Sequence, residues 1–379
     1  MKIEQKQWIS KSGWQPAFTD APDSEMQLVF VFGSTELLKQ KQKMDEIKRA
    51  YPKACFMGCS TAGEISGTHV NDETISLTAV YFSHTRVQGY SVTIDKAEDS
   101  LGVGEKLGQM ISQKDLAHVF VLSDGLNVNG TDLVAGLINK LPPHITVTGG
   151  LSGDGANFQE TLVFADGVPQ KNVISAIGLY GDKLKVGYGS LGGWDSFGPE
   201  RVITRSKGNI LYELDGQSAL ELYKKYLGEH AQGLPATGLL FPLSLRARDG
   251  ETSVVRTILS VDEKDKSMTF AGTMPEGALA RFMKANFDRL IDGASGAAKA
   301  SYAAIGAYSP DLAILISCVG RKLILKQRIE EEVESVRDVL GERTALAGFY
   351  SYGEISPFTP GAKCELHNQT MTITVFSEI

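Results

Sequence analysis

Two stretches near opposite ends of the 379-residue chain share one pattern. They are Gly58-Cys59-Ser60-Thr61-Ala62-Gly63-Glu64-Ile65 and Gly348-Phe349-Tyr350-Ser351-Tyr352-Gly353-Glu354-Ile355. Both follow the pattern G-x-x-[ST]-x-G-E-I. A looser copy, Gly149-Gly150-Leu151-Ser152-Gly153-Asp154-Gly155, lies between them. A pattern that recurs in this way indicates a duplicated structural unit.

The elements around each copy come in the same order. A short apolar run, typical of a buried strand, stands first, at residues 28–32, 119–122 and 312–316. A helical pattern follows it, at residues 36–50, 131–141 and 325–340. The glycine motif comes next, and an alternating strand closes the unit at residues 74–80, 173–177 and 370–375. The repeat is therefore strand, helix, motif, strand.

These units predict a mixed α/β (α+β) fold of two domains, with mixed sheets covered by helices. We expect an N-terminal extension over residues 1–27, a first domain over 28–228 and a second over 229–379. A hairpin is predicted around Gly208-Asn209. A helix is predicted from Gly277 to Ala304, with a break near Gly293 and Gly296.

Composition excludes several functional classes. The net charge of -7, from 38 basic and 45 acidic residues, gives no electrostatic reason to bind nucleic acid. No apolar run approaches the roughly 20 residues that cross a bilayer, and no signal peptide is visible at the start. Four cysteines do not form a disulfide framework in a chain this long. We expect a soluble, cytoplasmic protein without a membrane partner, and a homo-oligomer remains open.

The candidate site residues are polar groups beside glycines at strand ends. Glu64 and Glu354 each stand between glycine and isoleucine, where a carboxylate either holds the turn by accepting backbone N–H groups or faces a ligand. Arg321 follows Cys318-Val319-Gly320 and either clamps an anion or forms a surface salt bridge. Asp154 lies in the central motif.

His367 stands just before the last strand of the terminal unit, where the first unit has Asn71. The repeat itself therefore does not demand a histidine. A lone histidine is usually a hydrogen-bonded structural residue. A neutral imidazole at a strand entrance could equally be the single axial ligand of a b-type haem.

The chain resembles the FIST sensory domain family, with an N-terminal and a C-terminal FIST region. The matching segments extend over nearly the whole chain, and they are residues 58–65, 149–155, 192–199, 209–227, 318–321, 348–357 and 367–374. The resemblance implies a ligand-sensing module of bacterial signalling. A stand-alone chain of this length is similar to the haemoprotein nitric-oxide sensors of the family.

The resemblance further implies a b-type haem, nitric oxide as its ligand, and a partner that is a histidine kinase or a cyclic-di-GMP enzyme. His367 is the residue we carry over as the ligand of the haem iron, since it lies in a matching motif. His69 and His84 lie outside the matched segments and are weaker candidates.

Three functions remain open at this stage. The first is the haem-based gas sensor, a binding protein and not an enzyme. The second is a haem-free sensor of a small organic ligand such as an amino acid, held by Glu64, Asp154, Arg321 and Glu354. The third is an enzyme with Cys59 or Cys318 as nucleophile, although both cysteines also fit as small buried hydrophobic residues.

Overall fold

The structure is a computed structural model, and it describes residues 1–19, 21–248, 253–358 and 361–379. The helices, in chain order, are α1 (Thr35–Leu38), α2 (Lys41–Ala50), α3 (Ser100–Met110), α4 (Gly130–Ile138), α5 (Ala219–Leu227), α6 (Phe287–Ala304), α7 (Val319–Leu325) and α8 (Ile329–Leu340). Short 3-10 turns follow α5 and α7. Within the described part of the chain, no helix is long and apolar enough to cross a membrane.

The strands alternate with these helices. In chain order they are β1 (Lys2–Ile9), β2 (Gly13–Gln15), β3 (Leu28–Gly33), β4 (Cys55–Ser60), β5 (Glu64–Ser66), β6 (His69–Asn71), β7 (Ile75–Tyr81), β8 (Arg86–Thr93), β9 (Leu116–Ser123), β10 (Thr146–Leu151), β11 (Val163–Ala165), β12 (Val168–Gln170), β13 (Val173–Tyr180), β14 (Leu184–Leu191), β15 (Asp195–Lys207), β16 (Ile210–Leu214), β17 (Gln217–Ser218), β18 (Leu243–Arg246), β19 (Ser253–Arg256), β20 (Ile258–Asp262), β21 (Ser267–Phe270), β22 (Leu279–Lys284), β23 (Leu312–Cys318), β24 (Ala345–Ser351), β25 (Gly353–Pro357), β26 (Cys364–His367) and β27 (Met371–Glu378). The mixed α and β class predicted from the sequence is confirmed.

Three sheets have the same internal order of strands. In each, a central strand pairs in parallel with the strand that follows its helix and antiparallel with the strand that closes the unit: β3 with β4 and β7, β9 with β10 and β13, and β23 with β24 and β27. An extra antiparallel strand lies outside the closing strand, β1, β8 or β14. The central copy of the repeat is therefore a full unit, as the looser motif predicted.

The hairpin of each unit belongs to the sheet of another unit. The first unit's hairpin, β5–β6, pairs with β24 of the third. The second unit's hairpin, β11–β12, pairs with β4 of the first, and the third unit's hairpin, β25–β26, pairs with β10 of the second. The three units are thus joined in a closed ring by exchange of hairpins.

The inner faces of the three sheets meet in one aromatic core. Phe32 of the first unit packs on Phe349 of the third with ring centroids 4.7 Å apart, and Phe30 packs on Phe120 of the second at 5.5 Å. Buried aromatic pairs of this kind stabilise a core beyond the area that they bury. Helices cover the outer faces of the sheets.

A separate subdomain is inserted between β14 and α6. Its sheet runs in the order β19-β18-β22-β15-β16-β21-β20, with β17 beside β16, and it packs on α5 around its own apolar core. The predicted hairpin at Gly208-Asn209 is confirmed as the β15–β16 turn. The division at residue 228, which stays a prediction, falls among the residues of this subdomain.

The predicted helix over 277–304 is wrong in its first part and in its break. Residues 279–284 form β22, and α6 runs unbroken from Phe287 to Ala304. Its glycines serve close packing instead: a Cβ on Gly293 would lie 2.8 Å from the Gly192 carbonyl oxygen. Such glycines allow a helix and a strand to approach without interrupting the helix.

Candidate functional site

The three glycine motifs meet in a ring of backbone hydrogen bonds. The Ala62 N–H donates to the Tyr350 carbonyl at 2.8 Å. The Gly153 N–H donates to the Ser60 carbonyl at 2.9 Å, and the Tyr352 N–H donates to the Leu151 carbonyl at 3.3 Å. In each case the donor follows the motif's serine or threonine and the acceptor precedes it in the neighbouring unit. The repeated motif is thus the joint between units.

The same close contact explains why the first residue of each motif is glycine. A Cβ on Gly58, Gly149 or Gly348 would lie about 2 Å from a carbonyl oxygen of the parallel partner strand, at 2.1, 1.8 and 1.8 Å. No real Cβ contact is that short, and the atom opposite is backbone that cannot swing away. The glycines therefore permit the close strand approach on which each sheet depends.

Glu64 and Glu354 hold equivalent turns. Glu64 accepts from the Thr61 hydroxyl at 2.5 Å, and from the Thr74 N–H at 3.1 Å and hydroxyl at 2.7 Å. Glu354 accepts from the Ser351 hydroxyl at 2.6 Å, and from the Thr370 N–H at 3.2 Å and hydroxyl at 2.9 Å. Burial raises the pKa of Glu64 to about 7 and that of Glu354 to about 8. Both carboxyl groups are structural in this geometry.

In the central unit, a different acidic residue accepts the hydrogen bonds at the start of the closing strand. There Asp124, at the end of β9, accepts from the Thr161 hydroxyl at 2.9 Å and from the Asn172 N–H at 3.4 Å. Asp154 instead accepts from the backbone N–H groups of residues 158, 159 and 160, and from the Tyr352 hydroxyl of the third unit. Asp154 thereby fixes its own loop and ties it to the neighbouring unit.

Arg321 is fully buried in an ion pair. Its guanidinium lies 2.5 Å from Glu332, which is equally buried, and it also donates to the carbonyl oxygens of Gly192 and Leu290. Glu332 also accepts from the Tyr350 hydroxyl at 2.9 Å. The donors of Arg321 are engaged within the protein, so this geometry presents no open anion clamp.

His367 lies at the end of β26 and is 1% exposed. Its Nε2 donates to the Ser356 carbonyl at 2.9 Å, since a carbonyl oxygen can only accept. Burial lowers the pKa of the imidazole to about 4. The histidine is neutral near pH 7 and is held as a hydrogen-bonded structural residue. Its role as a haem ligand stays a prediction.

The other cysteine and histidine candidates lie elsewhere. Cys59 and Cys318 are buried, and burial raises the pKa of each thiol, which disfavours the thiolate that a nucleophile needs. His69 is exposed and lies 3.2 Å from Glu330. Among the described residues, no three His, Cys, Asp or Glu side chains are grouped so as to hold a metal ion.

The structure divides the predicted site residues between two places. Glu354, Arg321 and His367 surround the turn at residues 367–370, where the indole of Trp194 donates to the Gln369 carbonyl at 2.8 Å. Glu64 and Asp154 lie in the other two motifs of the ring, and Asp154 accepts from the Tyr352 hydroxyl of the motif that holds Glu354. All five side chains are engaged with other groups of the protein, and their role as a ligand pocket stays a prediction.

A cleft of about 770 Å³ lies beside the first of these places. One wall is helix α4, the second is the inserted subdomain, and the third is the segment Lys363–Leu366 that leads to His367. Val134, Ile138, Leu245 and Leu366 give it apolar surface. Binding sites for small molecules are concave, largely apolar clefts of roughly 300–1,000 Å³ with a few polar groups.

Arg256 is the principal polar group of this cleft, and only 4% of it is exposed. Its Nη1 donates to the carbonyl oxygens of Leu366 at 3.0 Å and Val255 at 3.3 Å. Its Nε has no hydrogen-bond partner among the described residues. Burial lowers its pKa to about 10, which leaves the guanidinium charged near neutral pH. The carboxylate of Glu365, which also lines the cleft, acts on the guanidinium electrostatically and raises its pKa against this larger effect of burial.

Two hydroxyl groups accompany Arg256. Oγ1 of Thr131, at the start of α4, and Oγ1 of Thr273 are buried and have no partner within the part of the chain that the structure describes. Gly272 makes room for the arginine, because a Cβ there would lie 2.7 Å from Nε. Sequence reasoning missed Arg256. Its only signal in the sequence is a charged residue directly after the apolar pair Val254-Val255 of β19.

The turn behind the cleft wall carries a further set of buried polar atoms. The side-chain amides of Asn368 and Gln369 are fully buried, and no partner is described for either. Gln369 has a φ of 62°, and a Cβ on Gly320 would meet its amide at 2.4 Å. The corresponding residue of the first unit, Glu73, has a φ of 55°.

Comparison with protein families identifies the class. The FIST N domain model matches residues 27–217, and the FIST C domain model matches residues 219–357. The chain belongs to the FIST family, whose domains indicate a sensory, ligand-binding role in signalling.

Individual proteins add little to this. An uncharacterized protein of Methanocaldococcus jannaschii is 25% identical over 216 residues, which cover 54% of this chain and 41% of that relative. Among solved structures, a cyanuric acid hydrolase from A. caulinodans aligns over 100% of this chain and 98% of its own, with 8% identity and a TM-score of 0.40. A chorismatase aligns over 99% and 98%, with 8% identity and a TM-score of 0.35. At these TM-scores the structural likenesses carry no argument.

Proposed function

We propose that this FIST protein senses a small organic ligand, without haem, in the cleft between α4 and the inserted subdomain. The observation that carries the proposal is the cleft itself. Its size suits a small molecule, and its walls come from separately built parts of the chain. A ligand that contacts both parts would favour one relative position of them, as a sensor requires.

We further propose that the bound state is passed to a partner, a histidine kinase or a cyclic-di-GMP enzyme, as the family resemblance implies. In this proposal the protein is a cytoplasmic binding protein and not an enzyme. The raised thiol pKa values of Cys59 and Cys318 support that view.

The haem and nitric-oxide sensor is the second candidate. A b-type haem needs a flat apolar space against a free nitrogen of its proximal histidine. Nε2 of His367 donates to Ser356, which leaves Nδ1 as the nitrogen for a haem iron, an arrangement that ligating histidines commonly have. The ring is 1% exposed, however, and the cleft wall ends at Leu366, so the described residues offer a porphyrin no open face of His367 in this conformation. We therefore rank the haem-free function first.

The experiment is a thermal-denaturation screen of the purified protein against amino acids, organic acids and nucleosides, with haemin titrated separately. A ligand that binds only the folded state raises the melting temperature in proportion to the logarithm of its concentration. Ala135 lines the cleft, so Ala135→Trp should fill it and abolish the response. Ala303→Trp, on the exposed face of α6, is the matched control and should preserve it.

Each outcome decides between the candidates. A response that Ala135→Trp removes and Ala303→Trp keeps supports the cleft sensor. A response that both variants keep would place the ligand elsewhere and overturn the proposal. Stoichiometric haemin uptake with a sharp Soret band that shifts with nitric oxide, and that changes in His367→Ala, would establish the haem sensor instead.

A further inference from the structure

We infer that the cleft recognises the carboxylate of an organic acid through Arg256, with the apolar body of that acid lying against α4. This inference rests on the proposed function, because it names the ligand class of the same cleft. It assigns the anion to an arginine outside the sequence-predicted set, in which Arg321 had that role.

The first argument is a buried charge without a contacting carboxylate. A guanidinium that is 4% exposed costs free energy unless it is paired. Among the described residues, the hydrogen-bond partners of Arg256 are carbonyl oxygens, and the carboxylate of the exposed Glu365 acts on it without a hydrogen bond. Arg321 shows the contrast, since its buried guanidinium has Glu332 at 2.5 Å. A carboxylate entering the cleft would supply to Arg256 what Glu332 supplies to Arg321.

The second argument is the unused hydrogen-bonding capacity. Nε of Arg256 and the hydroxyl groups of Thr131 and Thr273 are buried along the same cleft, without partners among the described residues. Guanidinium N–H groups arranged as a fork match the two oxygens of a carboxylate, and hydroxyl groups can donate to the same oxygens. The cleft is therefore lined by three buried polar atoms from which an oxyanion could accept hydrogen bonds.

The third argument concerns the rest of the ligand. Two of the other cations at the cleft are already engaged: Arg246 pairs with Glu200 at 2.7 Å, and Nε of Arg248 donates to the Gly277 carbonyl at 3.2 Å. Val134, Ile138 and Leu245 provide an apolar wall. Lys363 also lines the cleft, but it is exposed. Among the described residues, Arg256 is the buried cation of the cleft with a donor left without a partner, and one such donor group beside an apolar wall suits a single carboxylate on an aliphatic or aromatic body better than inorganic phosphate.

The test is ligand-observed NMR on the full chain with carboxylic acids from formate to octanoate, benzoate, and inorganic phosphate. Each organic acid is paired with its primary amide, which has the same shape without the charge. We expect binding that strengthens with the apolar body, is lost in the amides and is absent for phosphate. Arg256→Gln should weaken it by about tenfold or more, since a charged hydrogen bond is lost. Arg205→Gln is the matched control, since Arg205 is exposed, pairs with Glu213 and lies outside the cleft lining, and it should retain binding.

If Arg256→Gln does not fold, Thr273→Val keeps the test decisive, and it should weaken binding of the acids. Equal binding of acids and amides, undiminished binding in folded Arg256→Gln, or binding of phosphate alone would each overturn the inference. If no acid binds, but a compound of another class gives a thermal response that Ala135→Trp removes, the inference is overturned and the proposed sensor stands. If no compound of any class gives a response that Ala135→Trp removes, the inference and the proposed function both fail.

Discussion

His367 lies directly opposite Glu354 in the antiparallel pair β25–β26. In the first unit, Asn71 lies opposite Glu64 at the same register of β5–β6. The third unit therefore places an imidazole where the first unit has a side-chain amide. Burial favours the uncharged forms of both Glu354 and His367. The glutamate turn is common to both units and the histidine is particular to one.

This relationship predicts how Glu354 affects stability as the pH changes. Folding raises its pKa from 4.5 to about 8, so the folded state binds more protons in that interval. The stabilisation is fully present below the unfolded value and is lost as the pH rises through about 8. Glu354→Gln stays neutral, and we expect its unfolding free energy to fall less than the wild type's between about pH 5 and about pH 8.

Urea denaturation at both pH values measures this difference. Glu334→Gln removes a charge from an exposed position of α8 and should follow the wild-type pH dependence. His367 acts in the opposite direction, because its lowered pKa gives stability that is lost as the pH falls through about 4. Parallel pH profiles for the wild type and Glu354→Gln would contradict the assignment.

A second prediction concerns the close strand approach at the motif glycines. Gly348→Ala would bring a Cβ within 1.8 Å of the Leu315 carbonyl oxygen, where only backbone can move. We expect a loss of about 1–3 kcal/mol or more in unfolding free energy. Gly102→Ala is the matched control, since it lies in α3 with no atom within 4 Å of the added Cβ. The control should be neutral or stabilise by up to about 1 kcal/mol.

A third prediction tests the buried ion pair. Glu332→Leu leaves the guanidinium of Arg321 uncompensated, and we expect a loss of about 3–5 kcal/mol. The double variant Arg321→Leu with Glu332→Leu removes both charges and should lose less than the sum of the two single losses. Urea denaturation of the four proteins gives the coupling. Strictly additive losses would show that the carbonyl contacts of Arg321, not Glu332, account for its role.

A fourth prediction moves Arg256 without changing its charge. An added Cβ at Gly272→Ala would meet Nε at 2.7 Å and Cζ at 3.0 Å, so the guanidinium must shift. We expect about tenfold weaker binding of organic acids, since a charged hydrogen bond depends on its geometry. Gly102→Ala should bind as the wild type does. Ligand-observed NMR titration makes the comparison, and equal affinities in both variants would argue against Arg256 as the anion contact.

The local sequence pattern predicted the three units because the central strand of each is buried on both faces and is therefore almost continuously apolar. The runs at 28–32, 119–122 and 312–316 became β3, β9 and β23 with only small changes of boundary. The motif itself was also informative, since its glycines and hydroxyl residues make the same contacts in different units. What could not be predicted was which sheet receives each hairpin, because pairing of β5 with β24 depends on residues far apart in the chain.

The candidate site was harder to predict for the same reason. Glu64, Glu354 and Arg321 attracted attention as polar residues beside glycines, yet their partners Thr74, Thr370 and Glu332 lie 10 to 16 positions away. Arg256 carries no such local signal. Its importance depends on the fold, which brings Leu366, from 110 positions away, to within 3.0 Å of its guanidinium.

The exchange of hairpins between units has a consequence for how the chain is made. The hairpin of Glu64–Asn71 emerges from the ribosome early, but its partner strand, Ala345–Ser351, is among the last segments to be synthesised. At cellular elongation rates this leaves an unpaired strand edge for on the order of tens of seconds. During that interval the unpaired edge can pair with other chains, and chaperones protect nascent chains from such aggregation. The ring of units closes only when the third unit has been translated.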